Sequence, residues 1–249
     1  MKFLKLVKLF FQRNFVFRLN FIMGWAITIL KFLFTVMFWL CALNKGSENF
    51  MYSSKEMIVY FFVVMLIGLF IETDITDKVA DSIYSGNLST DLLKPVSYHM
   101  LNFANCMAMK LILFAVLVCA VVVLLFFSSY SSLFSLSVLF SLIINFEMCY
   151  LIGLLAFWTN TVWGISMVNS VLIDVFGGRL FPILIASPVM QKICAILPYQ
   201  YIYYVPVQIL ERKTGIISLF AQVVYSLILF VISQIIFKHG LKRYEAIGV

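Results

Sequence analysis

The chain has 249 residues, of which 63% are hydrophobic and only 12% charged, with a formal net charge of +7. A soluble domain of ordinary composition is roughly 25% charged, so the sequence cannot build a water-facing surface and reads as an integral membrane protein. Its basic residues flank apolar runs instead of clustering on one face, which excludes nucleic-acid binding as its trade.

Residues 1–18 are too charged to be a span. Lys2, Lys5, Lys8, Gln12 and Arg13 fall on one side of a helix, and Phe3, Val7, Phe10, Phe11 and Phe17 fall mostly on the other. That pattern predicts a basic amphipathic helix lying in the cytoplasmic interface; the alternative is a charged extension of the first span. No small-residue cleavage site follows, so no cleavable signal peptide is expected. A run of about 20 apolar residues crosses the hydrocarbon, and the apolar runs mark six spans at 19–43, 57–74, 99–127, 133–158, 161–178 and 216–237. Lys2, Lys5, Lys8, Arg13 and Arg18 precede the first run, and Lys238, Lys242 and Arg243 follow the last. Positive flanks stay inside, so both termini are expected in the cytoplasm and the number of spans is expected to be even. The expected fold is all-α and polytopic.

Between the second and third spans lies a polar island, residues 75–98, expected on the cytoplasmic side. Glu72, Asp74, Asp77 and Asp81 lead into it, and Ile83 to Pro95 form its capped, glycine-broken core. Asp81 is read as the start of a short helix and Gly86 as its break, with Pro95 stopping continuation into the third span. Residues 179–215 are punctuated by Pro182, Pro188, Pro198 and Pro206. Proline removes a backbone donor and clashes with the preceding turn, so one straight helix cannot run through this segment. Short broken helices that dip in from the external face are expected, because irregular backbone at membrane depth survives only against protein or a watery cavity. Tyr199, Tyr201, Tyr203 and Tyr204 fall here, either as ordinary interfacial tyrosines or, with Pro182, Pro198 and Pro206, as part of an external gate.

Candidate chemistry is sparse. No GxxxxGK[ST] loop exists, so ATP hydrolysis by that route is excluded. His99 and His239 are the only histidines and HExxH is absent, which argues against a zinc site. Cys41, Cys106, Cys119, Cys149 and Cys194 lack a CxxC spacing and read as small buried hydrophobes. Ser166, Ser170 and Lys110 offer only a chance resemblance to an intramembrane hydrolase. A lone Lys31 or Lys110 within a span costs about 3 kcal/mol unless it faces protein or water. Glu147 and Asp174 sit deep in the fourth and fifth spans. Such acids would suit a proton-coupled secondary transporter; otherwise each pairs with Lys31, Arg179 or a partner subunit.

At the island the sequence resembles the ABC-2 type transporter permeases, in the branch with an I-x-x-G-x-L-x-x-x-L-L-x-K-P-like signature. Here that is Ile83, Gly86, Leu88, Leu92, Leu93, Lys94 and Pro95, at slightly tighter spacing and with Asp91 inside it. Phe157-Trp158, the segment from Phe181-Pro182 through Tyr204-Val205-Pro206, and Gly240-Leu241-Lys242-Arg243-Tyr244 with Gly248 agree in order, so the resemblance covers essentially the whole chain. It implies a six-span subunit that pairs with a second copy or a homologous permease in a bacterial cell membrane. It implies export driven by two separate cytosolic ATPases, which carry the ATP and Mg while this chain binds no cofactor. The island would be the coupling element that sits on the ATPase, residues 1–18 the interface helix, and 179–215 the external re-entrant helices. A structural or assembly protein of the membrane is a further alternative.

Overall fold

The computed structural model describes residues 7, 18–44, 52–108, 110 and 131–244. Among these residues every regular element is helical and no strand occurs. In chain order they are α1 (Arg18–Asn44), α2 (Ser54–Ile71), α3 (Ile75–Tyr84), α4 (Leu88–Leu92), α5 (98–108), α6 (Ser131–Leu154), α7 (Trp163–Phe176), α8 (Pro188–Ile196), α9 (Tyr204–Leu210) and α10 (Ile216–Leu241). Short 3-10 turns at Leu155–Phe157, Ile183–Ile185 and Pro198–Tyr201 join some of them.

Four helical stretches are long and apolar enough to cross a membrane: Ala26–Leu43, Ser54–Tyr84, Ser132–Phe157 and Ile216–Leu241. The expected third span lies largely outside the described residues, as does most of the expected interfacial helix. Val7 is described, and it is buried against Leu101, Ala104 and Ala108 of α5. The expected fifth span, 161–178, contains one short helix. Its helix, α7, has 14 residues, about 21 Å at 1.5 Å per residue, against about 30 Å of hydrocarbon. Gly178, at φ 82°, ends it, and a Cβ there would stand 2.8 Å from the Tyr60 hydroxyl.

Two helices organise the rest. α6 and α10 lie side by side, and α10 turns Gln222, Ser226, Leu229, Ser233 and Gly240 inward. Small side chains on that face allow close approach, the usual way membrane helices associate without a hydrophobic drive. Against α6 and α2, Tyr60, Phe61, Ile67, Val138, Leu142, Tyr203 and Ile209 form one apolar core. α1 packs on α2 and leaves Phe34, Met37 and Phe38 exposed, the surface expected of a lipid-facing helix.

A second core forms beyond the end of α2. Ile75, Val79, Ala80 and Ile83 recur at helical spacing on one face of α3 and are buried against Phe146, Cys149, Tyr150 and Leu154 of α6. Gly153 of α6 makes the approach possible, since a Cβ there would lie 2.8 Å from the Val79 Cβ and 3.0 Å from the Thr76 carbonyl oxygen. Before α10, Lys213 lies 2.9 Å from Glu211 and above the Tyr52 ring. Burial pulls the Lys213 ammonium down, but the bond and charge of Glu211 with Tyr52 more than offset it, so it titrates above the usual lysine value.

Gly153→Ala is expected to overpack the α3–α6 contact by about 1–3 kcal/mol and lower the thermal unfolding midpoint of the detergent-purified protein. Gly164→Ala, where nothing stands within 4 Å of the added carbon, is expected to leave the midpoint unchanged or slightly raised.

Candidate functional site

The polar island folds as a helical pair, α3 and α4, joined by a tight turn. Its first helix begins at Ile75, after Asp74, and Asp81 lies inside it. The expected start at Asp81 is thereby corrected. The apolar spacing from Ile75 through Val79 to Ile83 drives the earlier start, because burying that face on α6 outweighs the local helix-start signal of one acid. The break at Gly86 is where expected. Gly86 has φ 77°, a left-handed conformation that glycine adopts without steric penalty, and the Ser85 and Gly86 amides bond back to Asp81 and Ile83.

The pair is fastened at three points. Thr76 Oγ1 donates to the Cys149 carbonyl at 3.0 Å, fixing α3 to α6. Leu88 is fully buried and anchors α4. Tyr244, just past α10, donates its hydroxyl to the Gly86 carbonyl at 2.9 Å and lies 3.2 Å from Ser89 Oγ. The Tyr244 ring meets Phe157 edge-on at 6.1 Å. Phe157 in turn fills the notch at Gly240, where a Cβ would fall 2.1 Å from its ring. The terminal Gly240 and Tyr244 thus act on the island itself, which no local pattern in the sequence could reveal.

The island's other signature residues point away from the core. Leu93 is 86% exposed and Leu92 is 43% exposed. Lys94 pairs with Asp91 at 2.6 Å, and Lys94 and Pro95 are exposed. Asp91 also accepts a long bond from Ser82 across the turn, at 3.5 Å. The result is a docked base with an apolar tip left uncovered.

The broken segment between α7 and α10 has its own fastenings. The Tyr204 amide donates to the Gly177 carbonyl at 3.0 Å, bringing the start of α9 back to the end of α7. At the far end of α9, Gln208 and Lys213 both reach the Tyr52 hydroxyl at 3.4 Å, beside the start of α2. Between these ends the Tyr201 carbonyl accepts from Ser141 at 2.8 Å and from Gln222 at 2.9 Å. Tyr199 reaches Asn169 at 3.4 Å. Pro198 opens a 3-10 turn and Pro206 lies buried within α9, while Pro182 precedes the turn at Ile183.

The two intramembrane acids have separate partners. Glu147 is 2% exposed and bonds His99 Nε2 at 2.7 Å. The His99 ring meets Phe146, Tyr150 and Phe230 edge-on. This partner was not among those expected, since 48 residues separate the pair. Asp174 meets Arg179, one of its expected partners, at 3.3 Å. Arg179 also pairs with Glu72 at the end of α2. Lys31 and Arg179 line one cleft with Thr28, Thr35 and Gly68. Lys110 donates to the Leu69 carbonyl at 3.3 Å. Among the described residues no group of three or more His, Cys, Asp or Glu could hold a metal ion.

Apolar helices of membrane-crossing length, packed through polar seams and carrying a docked helical pair, define a polytopic helical membrane protein. The chain belongs to the ABC-2 transporter family: the family model described as ABC-2 family transporter protein matches residues 6–248. It is therefore a permease, the membrane subunit of an ABC transporter. No curated protein matches it.

Tyr244→Phe keeps the ring on Phe157 and removes only the hydroxyl. The lost bond is worth about 1 kcal/mol, so amide hydrogen exchange over residues 86–89 is expected to rise roughly fivefold, with exchange in α6 unchanged.

Proposed function

We propose that this permease is the membrane half of an ABC exporter, moved by separate cytosolic ATPases through residues 75–98. One observation carries the reading: Leu93 stands 86% exposed on a segment whose base is fixed to α6 and α10. A polar loop that only joined two spans would need neither the docking nor the apolar tip. Leu92, Leu93, Lys94 and Pro95 enter a groove on the ATPase, and Ile83, Gly86, Leu88 and Asp91 shape and hold the base. A rigid base transmits a push, whereas a flexible one would absorb it.

The rest of the architecture follows the same reading. Six spans cross a bacterial cell membrane with both termini in the cytoplasm. The fifth is the short α7, and residues 179–215 complete its depth as re-entrant helices from the external face. The return of Tyr204 to Gly177 and the reach of Gln208 to Tyr52 support an in-and-out path for this segment. Pro182, Pro198, Tyr199, Tyr204 and Pro206 lie along it as the external gate. The permease acts with a second copy or a homologous permease, and ATP and Mg belong to the partner ATPases. Glu147, bonded to His99, ties α5 to α6 in this scheme, and Asp174 shares Arg179 with Glu72.

Affinity purification of the chain from its native membrane is expected to recover a subunit bearing a GxxxxGK[ST] loop. Leu93→Asp is expected to reduce that recovery about tenfold, as loss of a desolvated interface anchor does, with unchanged membrane yield. Undiminished recovery would remove the coupling role. For orientation, an impermeant maleimide added outside intact cells should label Lys55→Cys and spare Thr90→Cys; the opposite result would invert the topology.

A further inference from the structure

The polar contacts of α2 place two distant parts of the chain side by side. Glu72 is the first residue past α2 and stands three residues before α3. Arg179 follows Gly178, the left-handed glycine that ends α7, and so opens the broken segment. The Arg179 guanidinium bonds Glu72, lies 3.3 Å from Asp174 of α7, and sits over the Tyr203 ring with its carbon 5.6 Å from the ring centre. Tyr203 closes the other leg of the same segment, and its hydroxyl would be 3.6 Å from a Cβ at Gly68, one turn before Glu72. Both legs of the broken segment therefore meet the last turn of α2, which leads directly into the coupling pair.

We infer that the Glu72–Arg179–Asp174 cluster is the link that carries displacement of the coupling pair into the broken segment. The inference rests on the coupling role proposed for residues 75–98. A guanidinium as largely buried as that of Arg179, 21% exposed, is costly to leave without a counter-charge. When Glu72 moves with α3, Arg179 must follow it or fall back on Asp174. One cation between two carboxylates on different helices has two discrete arrangements, which is what a switching contact requires. Arg179 can hold both acids at once because its planar fork presents several donors. Glu72, Arg179 and Asp174 are thus positioning residues, acting through the segments they join.

The test uses the complex of the chain with its own ATPase in membrane vesicles and needs no transported substrate. Lys192→Cys, on the exposed side of α8, reports the broken segment through its labelling rate with an impermeant maleimide. That rate is expected to differ severalfold between the nucleotide-free complex and the complex trapped with ATP and vanadate. Glu72→Gln and Arg179→Gln should each shrink the difference to under twofold while ATP hydrolysis continues, and Arg179→Lys should retain most of it. Glu72→Gln, which conserves shape, covers the case in which Arg179→Gln fails to fold. A full response in Glu72→Gln, no response in the unsubstituted chain, or equal loss in Arg179→Lys and Arg179→Gln would overturn the link. Protection of Thr90→Cys by the bound ATPase is followed in parallel. If Thr90→Cys is never protected, the coupling role itself fails; if it is protected while Lys192→Cys responds normally in Glu72→Gln, only the link fails.

Discussion

The structure depends on one constraint: a helix that ends inside a membrane protein must find donors for its last carbonyls without water. α2 shows the solution. It ends at Ile71 with no left-handed glycine, and its terminal carbonyls are taken by side chains from other helices. Lys110 reaches Leu69, and Asn145 donates to Ile71 at 2.8 Å. The broken segment repeats the device. Tyr60 donates to the Gly178 carbonyl and Trp39 to the Leu180 carbonyl, while Ser141 and Gln222 share that of Tyr201. Gln191 serves Leu184 and Ala186, and Tyr225 serves Ile196. Prolines interrupt the backbone ladder in this segment, and each side chain that bonds one of its carbonyls fixes the position of its own helix.

Side-chain donors to backbone carbonyls also fasten the α3–α4 pair. The Gly86 carbonyl accepts from the Ser89 amide and from the Tyr244 hydroxyl, and the Cys149 carbonyl accepts from Thr76. Two distant parts of the chain, α6 and the residue past α10, thereby hold α3 and the turn that follows it. α10 also carries Gln222, whose amide holds the Tyr201 carbonyl. A single long helix therefore meets the α3–α4 pair at one end, through Tyr244, and the broken segment at the other, through Gln222. The Glu72–Arg179 contact joins the same two regions by a shorter route along α2.

Much of this is legible in sequence, but unevenly. The apolar runs mark the long helices, because a span needs little more than length and hydropathy. Gly86 is legible because a glycine inside a capped polar run has few other uses. The start of α3 was written in the spacing of Ile75, Val79 and Ile83, and the neighbouring acids drew attention from it. The end of α7 was legible too, since Gly177-Gly178 closes the fifth apolar run, but the bond from Tyr60 to the Gly178 carbonyl, 118 positions away, was not. Partner choice was hidden for the same reason. Nothing in the local sequence of Glu147 or of His99 names the other, and only the packing of α5 on α6 makes them a pair.

Charge and hydrogen bonding divide the labour within the bundle. Neutral amides and hydroxyls such as Ser137, Ser141 and Gln222 fix α6 to α10, where the residues are fully buried. A neutral network there meets the backbone's demand without the desolvation cost of an ion, which runs to several kcal/mol per charge. One cation shared by two carboxylates, Arg179 with Glu72 and Asp174, sits where α2 and α7 end, with Glu72 and Arg179 partly exposed. That setting lowers the cost of parting and remaking a pair, because water or headgroups can stand in for the lost partner. Fixed seams built of amides and exchangeable contacts built of ions are what a subunit needs if its core is to stay intact while its ends move.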